Sequence, residues 1–336
     1  MTEVERSPFV LPPPPESFLL TAPGQAVPIE QPPAEAWLDG YIRSFSASSI
    51  RMLKICPEQY RQRYILGRKE RPGGSLTLGS AVHSAVSHSH TQKVVTHADL
   101  PVTEVVEYFH DEAWPKAIEA DGGVEEIRWD DGVEPDDYRR DGERMTQAYH
   151  HTVSPRVQPV APPERRIDLY VPGVPVPFIG YLDVEEEGNV VDLKTGKQVQ
   201  RKPDSNWRMQ GQIYSLATGK PTHFHSVSRA KTPSIATPLT DPEMALPYRD
   251  DVAEWTRKVL VDYAGQVEYF MHRYGPDNAW PTSGLFMDYR GGAACRFCGF
   301  RKFCPAWEHE RVVAPTYVVT DMVDIAGNPI GGTVGA

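Results

Sequence analysis

The sequence predicts an α/β protein in which a mixed central sheet is flanked by helices. Residues 164–197 are rich in Val, Ile, Tyr and Phe, and the pair Gly188-Asn189 within them is typical of a tight turn between strands. Apolar residues with helical spacing precede and follow this stretch, at 76–90 and 207–220, and residues 222–230 alternate like a further strand. The predicted order of helix, three strands, helix and strand is that of an α/β domain.

The helices at the two ends of this order have clear sequence signals. In residues 44–70, serines can cap a first helix, and Cys56-Pro57 interrupts it, so that a second helix begins at the proline. In residues 76–90 an apolar stripe repeats every four residues, and His83 stands beside it. Residues 252–274 have the pattern of one long amphipathic helix.

The chain has 336 residues, which is enough for one large hydrophobic core. We expect the following organisation: a proline-rich extended arm at 1–42, a main domain at 43–315 with a helical insertion at about 95–160 and a Gly- and Cys-rich knuckle at 291–305, and a tail at 316–336. No apolar run is long enough to span a bilayer, and the N-terminus does not resemble a signal peptide. We therefore expect a cytoplasmic protein with no membrane partner.

The formal net charge of -10 disfavours nucleic-acid binding over the whole surface, because phosphate binding depends on clustered Lys and Arg. A nucleic-acid site would have to be a local basic groove. Three basic stretches are candidates for it: Arg61 with Arg63; Lys197, Arg201, Lys202 and Arg208; and Arg296 with Arg301. In the third stretch phenylalanines alternate with the basic residues, and their rings either stack on bases or shield the nearby cysteines.

Acidic residues and a lysine meet on the strands around the Gly188-Asn189 turn. Asp183 falls on the first strand, and Asp192 and Lys194, two apart on the second, face the same side. Two carboxylates from adjacent strands can bind Mg²⁺ or Mn²⁺, and a lysine beside that cation can orient water and stabilise charge on a phosphate. The alternative is a solvated ion pair on the surface of a hairpin.

The chain contains four cysteines, too few for a disulfide scaffold. Cys295, Cys298 and Cys304 follow a C-x2-C-x5-C spacing, and Cys56 lies far upstream. Four thiolates suit either tetrahedral zinc or a 4Fe-4S cluster. Structural zinc sites usually take their ligands as two close pairs, whereas here one cysteine is separated from three. Either metal would stabilise the fold by closing a very long loop.

The order of these motifs resembles the RecB-like branch of the PD-(D/E)xK nucleases. The resemblance is carried by Gly180-Tyr181-Leu182-Asp183, by Val191-Asp192-Leu193-Lys194-Thr195-Gly196 and by Gln210-Gly211-Gln212-Ile213-Tyr214. Upstream, Cys56-Pro57 and Gly79-xxx-His83 match that branch as well, so that residues 46 to 304 are covered. Leu182 replaces the proline of the nominal motif, a departure that this branch commonly tolerates. The resemblance implies a restriction-endonuclease-like core.

The resemblance also implies roles for individual residues. His83, Asp183, Asp192 and the backbone carbonyl of Leu193 would bind the metal, with Glu164 as an additional acidic residue at the start of the first strand. Lys194 would be catalytic, and Gln210 and Tyr214, four apart on one helix face, would contact the scissile strand. An imidazole ligand favours Mn²⁺ somewhat over Mg²⁺.

The arrangement of one cysteine and three resembles the iron–sulfur nucleases of the AddB and CRISPR-associated Cas-four families. That likeness implies a 4Fe-4S cluster, with zinc as the alternative. The chain has no G-x-x-x-x-G-K-[ST] phosphate loop, because Gly196-Lys197 is followed by Gln198 and Gly219-Lys220 by Pro221. The resemblance is therefore to stand-alone enzymes, including those that bacteriophages encode.

The function implied is that of a metal-dependent DNA exonuclease. It would act on single-stranded DNA or free ends in recombination, repair or end processing, with recombination or replication proteins as partners. Two alternatives remain at the level of sequence: a non-catalytic DNA-binding or assembly factor, and a structure-specific endonuclease. Intact Asp183, Asp192 and Lys194 argue against the first.

Overall fold

The computed structural model describes residues 36–282, 295 and 298–304. The chain divides into two compact units, Met1–Pro281 and Thr282–Ala336, and each is described by itself. The predicted arm, except for its last residues, and the predicted tail lie outside the described residues.

The first unit contains the predicted helices. They are α1 (Ala47–Ile55), α2 (Pro57–Tyr60), α3 (Gly74–Thr96), α4 (Val102–Tyr108), α5 (Trp114–Ala120), α6 (Pro135–Thr152), α7 (Ser205–Thr218) and α8 (Asp250–Tyr274). α2 continues as a π-helical turn over Arg61–Ile65, and another π-helical turn, Phe109–Ala113, joins α4 to α5. Between residues 95 and 160 the structure has the helices α4, α5 and α6.

The start and end of the first helix follow from its sequence. The side chain of Ser46 caps α1 by accepting a hydrogen bond from the backbone N–H of Ser49. The side chain of Ser49 in turn accepts a hydrogen bond from the backbone N–H of Ser46. Cys56 has extended backbone angles, and Pro57 occupies the first turn of α2. The two helices therefore meet at Cys56, as the sequence predicts.

Seven strands are described. They are β1 (Arg165–Leu169), β2 (Phe178–Leu182), β3 (Val184–Glu185), β4 (Val190–Gly196), β5 (Thr222–Ser228), β6 (Ile235–Ala236) and β7 (Ala245–Leu246). β1 and β2 form an antiparallel pair, and a second sheet has the order β3-β4-β5-β6 with β7 also pairing with β5. β4 and β5 are parallel and joined through α7, whereas the other pairs are antiparallel. The second sheet is therefore mixed, as predicted; the short β6 and β7 lack a clear sequence signal.

The strand β4 separates two hydrophobic clusters of the first unit. Val191 and Leu193 face a cluster formed with α3, α4, α5 and α6, as their alternation predicts. Val190 faces the other cluster, to which α1, α7 and α8 contribute. Asp192 and Lys194 share the face of Val190, so that α7 covers them. Helices thus approach β4 from both faces.

One sequence expectation about the strands is wrong in detail. Asp183 does not lie within a strand but at a bend between β2 and β3. β3 pairs with β4 only at Val184↔Val191 and Glu185↔Val190. Among the described residues, no strand therefore pairs with residues 192–196 on the side opposite β5. The bend turns the Asp183 side chain toward this open edge.

A polar network joins α6 and the loop before it to the strands. Asp130, in the loop before α6, accepts from Arg229 at 2.9 Å and pairs with Lys197 at 2.9 Å. The guanidinium of Arg229 also stacks on the ring of Tyr138, 4.2 Å from its centroid. Lys197 and Arg229 directly follow β4 and β5, so this network attaches α6 and its preceding loop at the end of the sheet.

The second unit is described at Thr282, Cys295 and 298–304. The backbone N–H of Cys298 donates to the carbonyl of Cys295, and Arg301–Phe303 form a 3-10 turn that ends at Cys304. Within the described parts of the chain, no helix is both long enough and apolar enough to cross a bilayer.

Candidate metal-dependent nuclease site

A large cleft of about 1290 Å³ lies at the open edge of β4. Its walls come from the start of α1, from one face of α3, from β2 and β4, and from α7. The sequence-predicted residues His83, Asp183, Asp192, Lys194, Gln210, Tyr214 and Glu164 all line it. The structure therefore brings together side chains that are up to 131 positions apart in the chain (214 minus 83).

Three of these side chains form a compact set of metal-binding groups. One potential ligand atom from each of His83, Glu164 and Asp183 lies within 4.8 Å of the others. His83 Nδ1 is 3.2 Å from Asp183 Oδ1. Glu164, at φ 57°, adopts a left-handed backbone conformation that non-glycine residues rarely occupy. That conformation directs Glu164 toward the cleft immediately before β1 begins.

Asp183 is held in place by the backbone of β4. The N–H of Leu193 donates to Asp183 Oδ2 at 2.6 Å. In a β-strand the N–H and C=O of one residue point to the same side, so the Leu193 carbonyl also faces the open edge where Asp183 lies. This geometry agrees with the metal-binding role that the resemblance implies for that carbonyl.

A chain of hydrogen bonds fixes the lysine of the motif. Lys194 Nζ lies 2.6 Å from Asp192 Oδ2 and donates to Gln210 Oε1 at 2.7 Å. Gln210 Nε2 in turn donates to the hydroxyl of Tyr214 at 2.8 Å, and that hydroxyl donates to the carbonyl of Tyr181 at 2.8 Å. Gln210 and Tyr214 thus connect the lysine on β4 to the backbone of β2.

Two glycines permit this close packing. A Cβ on Gly79 would lie 2.7 Å from Thr195 Oγ1, so glycine lets α3 approach β4 one turn before His83. A Cβ on Gly180 would lie 2.7 Å from Cε1 of Tyr214. A larger residue at either position would clash with these neighbours. The two glycines therefore allow the close approach that brings His83 and Tyr214 to the site.

The ionisable groups of the site influence one another strongly. Burial raises the pKa of Asp192 to about 6, although the charge of Lys194 offsets part of that effect. Burial acts to raise the pKa of Asp183 too, but His83, through its charge and hydrogen bond, outweighs it and the net shift is downward. The same interaction raises the pKa of His83 despite its burial. Removal from water, followed by the charge of Asp183, raises the pKa of Glu164.

These residues fit a divalent cation. Three carboxylates crowd one wall of the cleft, and a cation among them would relieve their mutual repulsion. Asp192 is 2% exposed and its Oδ2, although close to Lys194 Nζ, receives no well-directed hydrogen bond. Carboxylate oxygens with one imidazole are a ligand set suited to Mg²⁺ or Mn²⁺.

Sequence comparison identifies the family to which this site belongs. A model of the PD-(D/E)XK nuclease superfamily matches residues 44–305. The chain belongs to this superfamily. Its mixed sheet and flanking helices agree with a restriction-endonuclease-like fold, and PD-(D/E)XK nucleases use divalent metals.

A solved structure from Eubacterium rectale, described as a candidate exonuclease, resembles this PD-(D/E)XK chain. Its TM-score is 0.49 and its sequence identity 11%, with 86% of this chain and 95% of that one covered. No curated protein matches the chain.

Six of the basic residues predicted as a nucleic-acid groove belong to the first unit and do not line this cleft: Arg61, Arg63, Lys197, Arg201, Lys202 and Arg208. Arg61 is buried, donates twice to Glu58 at 2.8 and 2.9 Å and donates to the carbonyl of Pro276, so it is engaged within the fold. Three other predicted residues have partners within the fold: Lys197 pairs with Asp130, Arg201 pairs with Asp241, and Arg208 donates to the carbonyl of Pro203. Three are exposed: Arg63, Lys202 and Arg301. Arg296 lies outside the described residues.

The cleft also contains residues that the sequence reasoning missed. Ser80, Ser84, Ser87 and Thr91 line it along α3, and so do His88 and Tyr108. The spacing of four, three and four between the hydroxyl residues is a helical period and could have revealed a polar face. The contact between His88 and Tyr108 has no corresponding pattern in the sequence, because it depends on how α4 packs on α3.

Proposed function

We propose that this PD-(D/E)XK nuclease is a divalent-metal-dependent exodeoxyribonuclease. It hydrolyses phosphodiester bonds at the ends of DNA, with single-stranded DNA as its substrate, and serves recombination, repair or another form of end processing. The observation that carries the proposal is the placement of the His83, Glu164 and Asp183 set beside the Asp192 and Lys194 pair in one cleft. Recombination or replication proteins are the partners that this role would require.

Each residue of the site has a chemical task in this proposal. His83, Glu164, Asp183, Asp192 and the Leu193 carbonyl would hold Mg²⁺ or Mn²⁺. When bound, such a cation supplies charge stabilisation for the phosphate and favours the ionisation of water. The imidazole of His83 makes Mn²⁺ the better activator.

Lys194 contributes to the hydrolytic step directly. Water attacks the phosphorus, one P–O bond breaks, and the leaving oxygen takes up a proton. Lys194 Nζ, oriented by Asp192 and Gln210, donates a hydrogen bond to the phosphate oxygen on which negative charge grows. Gln210 keeps the ammonium in place because its own amide is anchored through Tyr214. The lysine side chain is therefore already ordered before the substrate binds, and substrate binding carries no further entropy cost for ordering it.

The test compares Lys194→Ala with Lys231→Ala, a matched change at an exposed lysine outside the cleft. Degradation of end-labelled single-stranded DNA is followed with Mn²⁺ and with Mg²⁺. We expect Lys194→Ala to lower the rate by about 10² to 10⁴-fold, while Lys231→Ala retains it. Equal degradation by Lys194→Ala and the wild type would remove Lys194 from the mechanism.

Closed circular single-stranded DNA distinguishes exonuclease from endonuclease action. An exonuclease leaves the circle intact and degrades the same molecule once it has been cut. Fragmentation of the circle would replace the exonuclease proposal by an endonuclease that uses the same residues. A wild type that degrades neither substrate with either cation would favour a non-catalytic DNA-binding protein.

We also propose that Cys56, Cys295, Cys298 and Cys304 hold a 4Fe-4S cluster. The support is the donor set, since four thiolates in an arrangement of one and three suit such a cluster. Its task would be structural. Anaerobically purified protein should be brown, absorb broadly near about 400 nm and contain iron and sulfide. Colourless protein with bound zinc would assign the site to zinc instead.

A further inference from the structure

A stacked aromatic pair lines the cleft away from the metal-binding groups. The rings of His88 on α3 and Tyr108 on α4 are 3.9 Å apart between centroids and inclined by 2°. His88 is exposed and Tyr108 is half-buried, so each keeps part of its surface accessible, and both line the cleft. Neither takes part in the hydrogen-bond chain of Lys194. The pair therefore offers a flat aromatic surface that the hydrolytic site leaves unused.

The hydroxyl residues of α3 form a polar face of the cleft that extends past both the metal-binding groups and this pair. At 3.6 residues per turn, Ser80, Ser84, Ser87 and Thr91 fall within an arc of roughly 60° on the helix. His83 lies at one margin of that arc and His88 at the other, about 7.5 Å further along the axis. Ser and Thr hydroxyls are common partners of phosphate oxygens in DNA complexes. A strand whose phosphate reaches His83 would thus have its base near His88.

The charge of the cleft points to stacking as a source of affinity. Among the described residues that line it, Lys194 is the single lysine or arginine, and it pairs with Asp192, while the carboxylates of Glu164 and Asp183 line the same cleft. Counterion release, which depends on lysine and arginine contacts, can therefore supply little binding energy at these walls. Stacking of bases on aromatic side chains supplies affinity without added charge.

We propose that His88 and Tyr108 form a nucleobase-binding subsite, in which an unpaired base of the substrate strand stacks on the aromatic pair while the α3 hydroxyls contact the phosphates. This subsite rests on the proposed function, because it takes the same DNA strand. A base can stack there only when one of its faces is free, as in single-stranded DNA or at a frayed end. The subsite thus selects against the interior of a duplex.

The experiment measures binding rather than cleavage. Fluorescently labelled single strands, each with one abasic position moved stepwise from the end, are titrated into a Lys194→Ala protein by fluorescence anisotropy. We expect one position at which loss of the base weakens binding by about 5- to 100-fold. In Lys194→Ala combined with Tyr108→Leu, that position should lose its effect and intact DNA should bind as weakly as the abasic strand does.

The controls separate stacking from folding. Tyr108→Phe keeps the ring and should keep the affinity, whereas Tyr108→Leu keeps an apolar side chain against the hydrophobic cluster around α3 but removes the ring. Tyr269→Ala alters an exposed tyrosine of α8 outside the cleft and should bind as the reference does. If Tyr108→Leu does not fold, as judged by its thermal melt, His88→Leu supplies the same comparison.

The subsite and the proposed function can fail separately. An abasic profile that is unchanged by Tyr108→Leu or by His88→Leu, in a protein whose wild type degrades DNA, overturns the subsite alone. A wild type that degrades no DNA, but whose abasic profile depends on Tyr108, overturns the catalytic proposal alone.

Discussion

Lys194 Nζ donates a hydrogen bond to Gln210 Oε1 at 2.7 Å, so Gln210, together with Asp192, orients the lysine. Gln210→Leu should therefore lower kcat about 10- to 100-fold, as expected for the loss of one hydrogen bond to a charged group. KM should change little, because a positioning residue acts through Lys194. Steady-state kinetics on single-stranded DNA with Mn²⁺ measure both constants.

The matched control for that prediction is Gln212→Leu. Gln212 lies on the same helix but does not line the cleft, so its loss should leave kcat unchanged. A Gln210→Leu enzyme with raised KM and normal kcat would show that Gln210 binds substrate instead of orienting the lysine.

Glu164 should contribute to metal affinity. Its carboxylate lies within 4.8 Å of ligand atoms of His83 and Asp183, so Glu164→Gln removes a negative charge from the set while preserving its shape. We expect Mn²⁺ binding to weaken about tenfold or more, which corresponds to roughly 1.4 kcal/mol. Calorimetric titration of metal-stripped protein gives the affinity. Glu187→Gln, at an exposed position outside the cleft, is the control, and equal affinities for both variants would exclude Glu164 as a ligand.

The contact between Asp130 and Arg229 should stabilise the attachment of the loop before α6 to the end of β5. Their oxygen and nitrogen atoms lie 2.9 Å apart, and the Arg229 side chain is 11% exposed. A double-mutant cycle with Asp130→Asn and Arg229→Gln should give a coupling energy of about 0.5 to 3 kcal/mol, the range found for contacting groups in one network. Urea denaturation of the four proteins measures it. Purely additive effects would mean that the pair contributes no net stability.

Acid should destabilise the first unit partly through His90. Burial, with the charge of Lys93 as a smaller cause, lowers the pKa of His90 to about 4, from 6.5 for an unperturbed histidine. Neither of its ring nitrogens has a hydrogen-bond partner in the part of the chain that the structure describes. The unfolded chain therefore binds the proton first. The stabilisation is complete above about pH 6.5 and declines as the pH falls toward 4.

When the pH falls from 7.5 to 5, protonation of this histidine in the unfolded chain should lower the free energy of unfolding by about 2 kcal/mol. His90→Phe keeps a flat ring beside Tyr149 and should remove that part of the acid sensitivity in urea denaturation. In the control variant His151→Phe, which alters an exposed position, the free energy of unfolding should fall with pH as it does in the wild type. An equally steep decline in His90→Phe would show that other groups determine the acid sensitivity.

Local patterns were sufficient to predict the elements and part of the site. The strand period of two places Asp192 and Lys194 on one face and Val191 with Leu193 on the other, and in the structure Val191 and Leu193 share one hydrophobic cluster. The interval of four between Gln210 and Tyr214 likewise places them on one face of α7, where they form a hydrogen bond. Such patterns are readable because neighbouring residues alone determine them.

Contacts between distant segments were not readable in this way. The structure places Glu164 against His83 and Asp183 because of the bend before β3 and the left-handed conformation of Glu164. Arg61 lies in a basic stretch of the sequence that is typical of a nucleic-acid groove, yet its side chain is buried against Glu58. A single sequence does not show which charges the fold pairs internally, because that pairing depends on packing between segments far apart in the chain.

The sequence by itself determined the order of the helices and strands, the spacing of the Asp192 and Lys194 motif and membership of a nuclease superfamily, since all three depend on residue type and local period. Tertiary structure alone decided that α3 and α7 approach β4 from opposite faces and that the aromatic rings of His88 and Tyr108 stack in the same cleft. The physical reason is that close packing selects the contacts between distant elements.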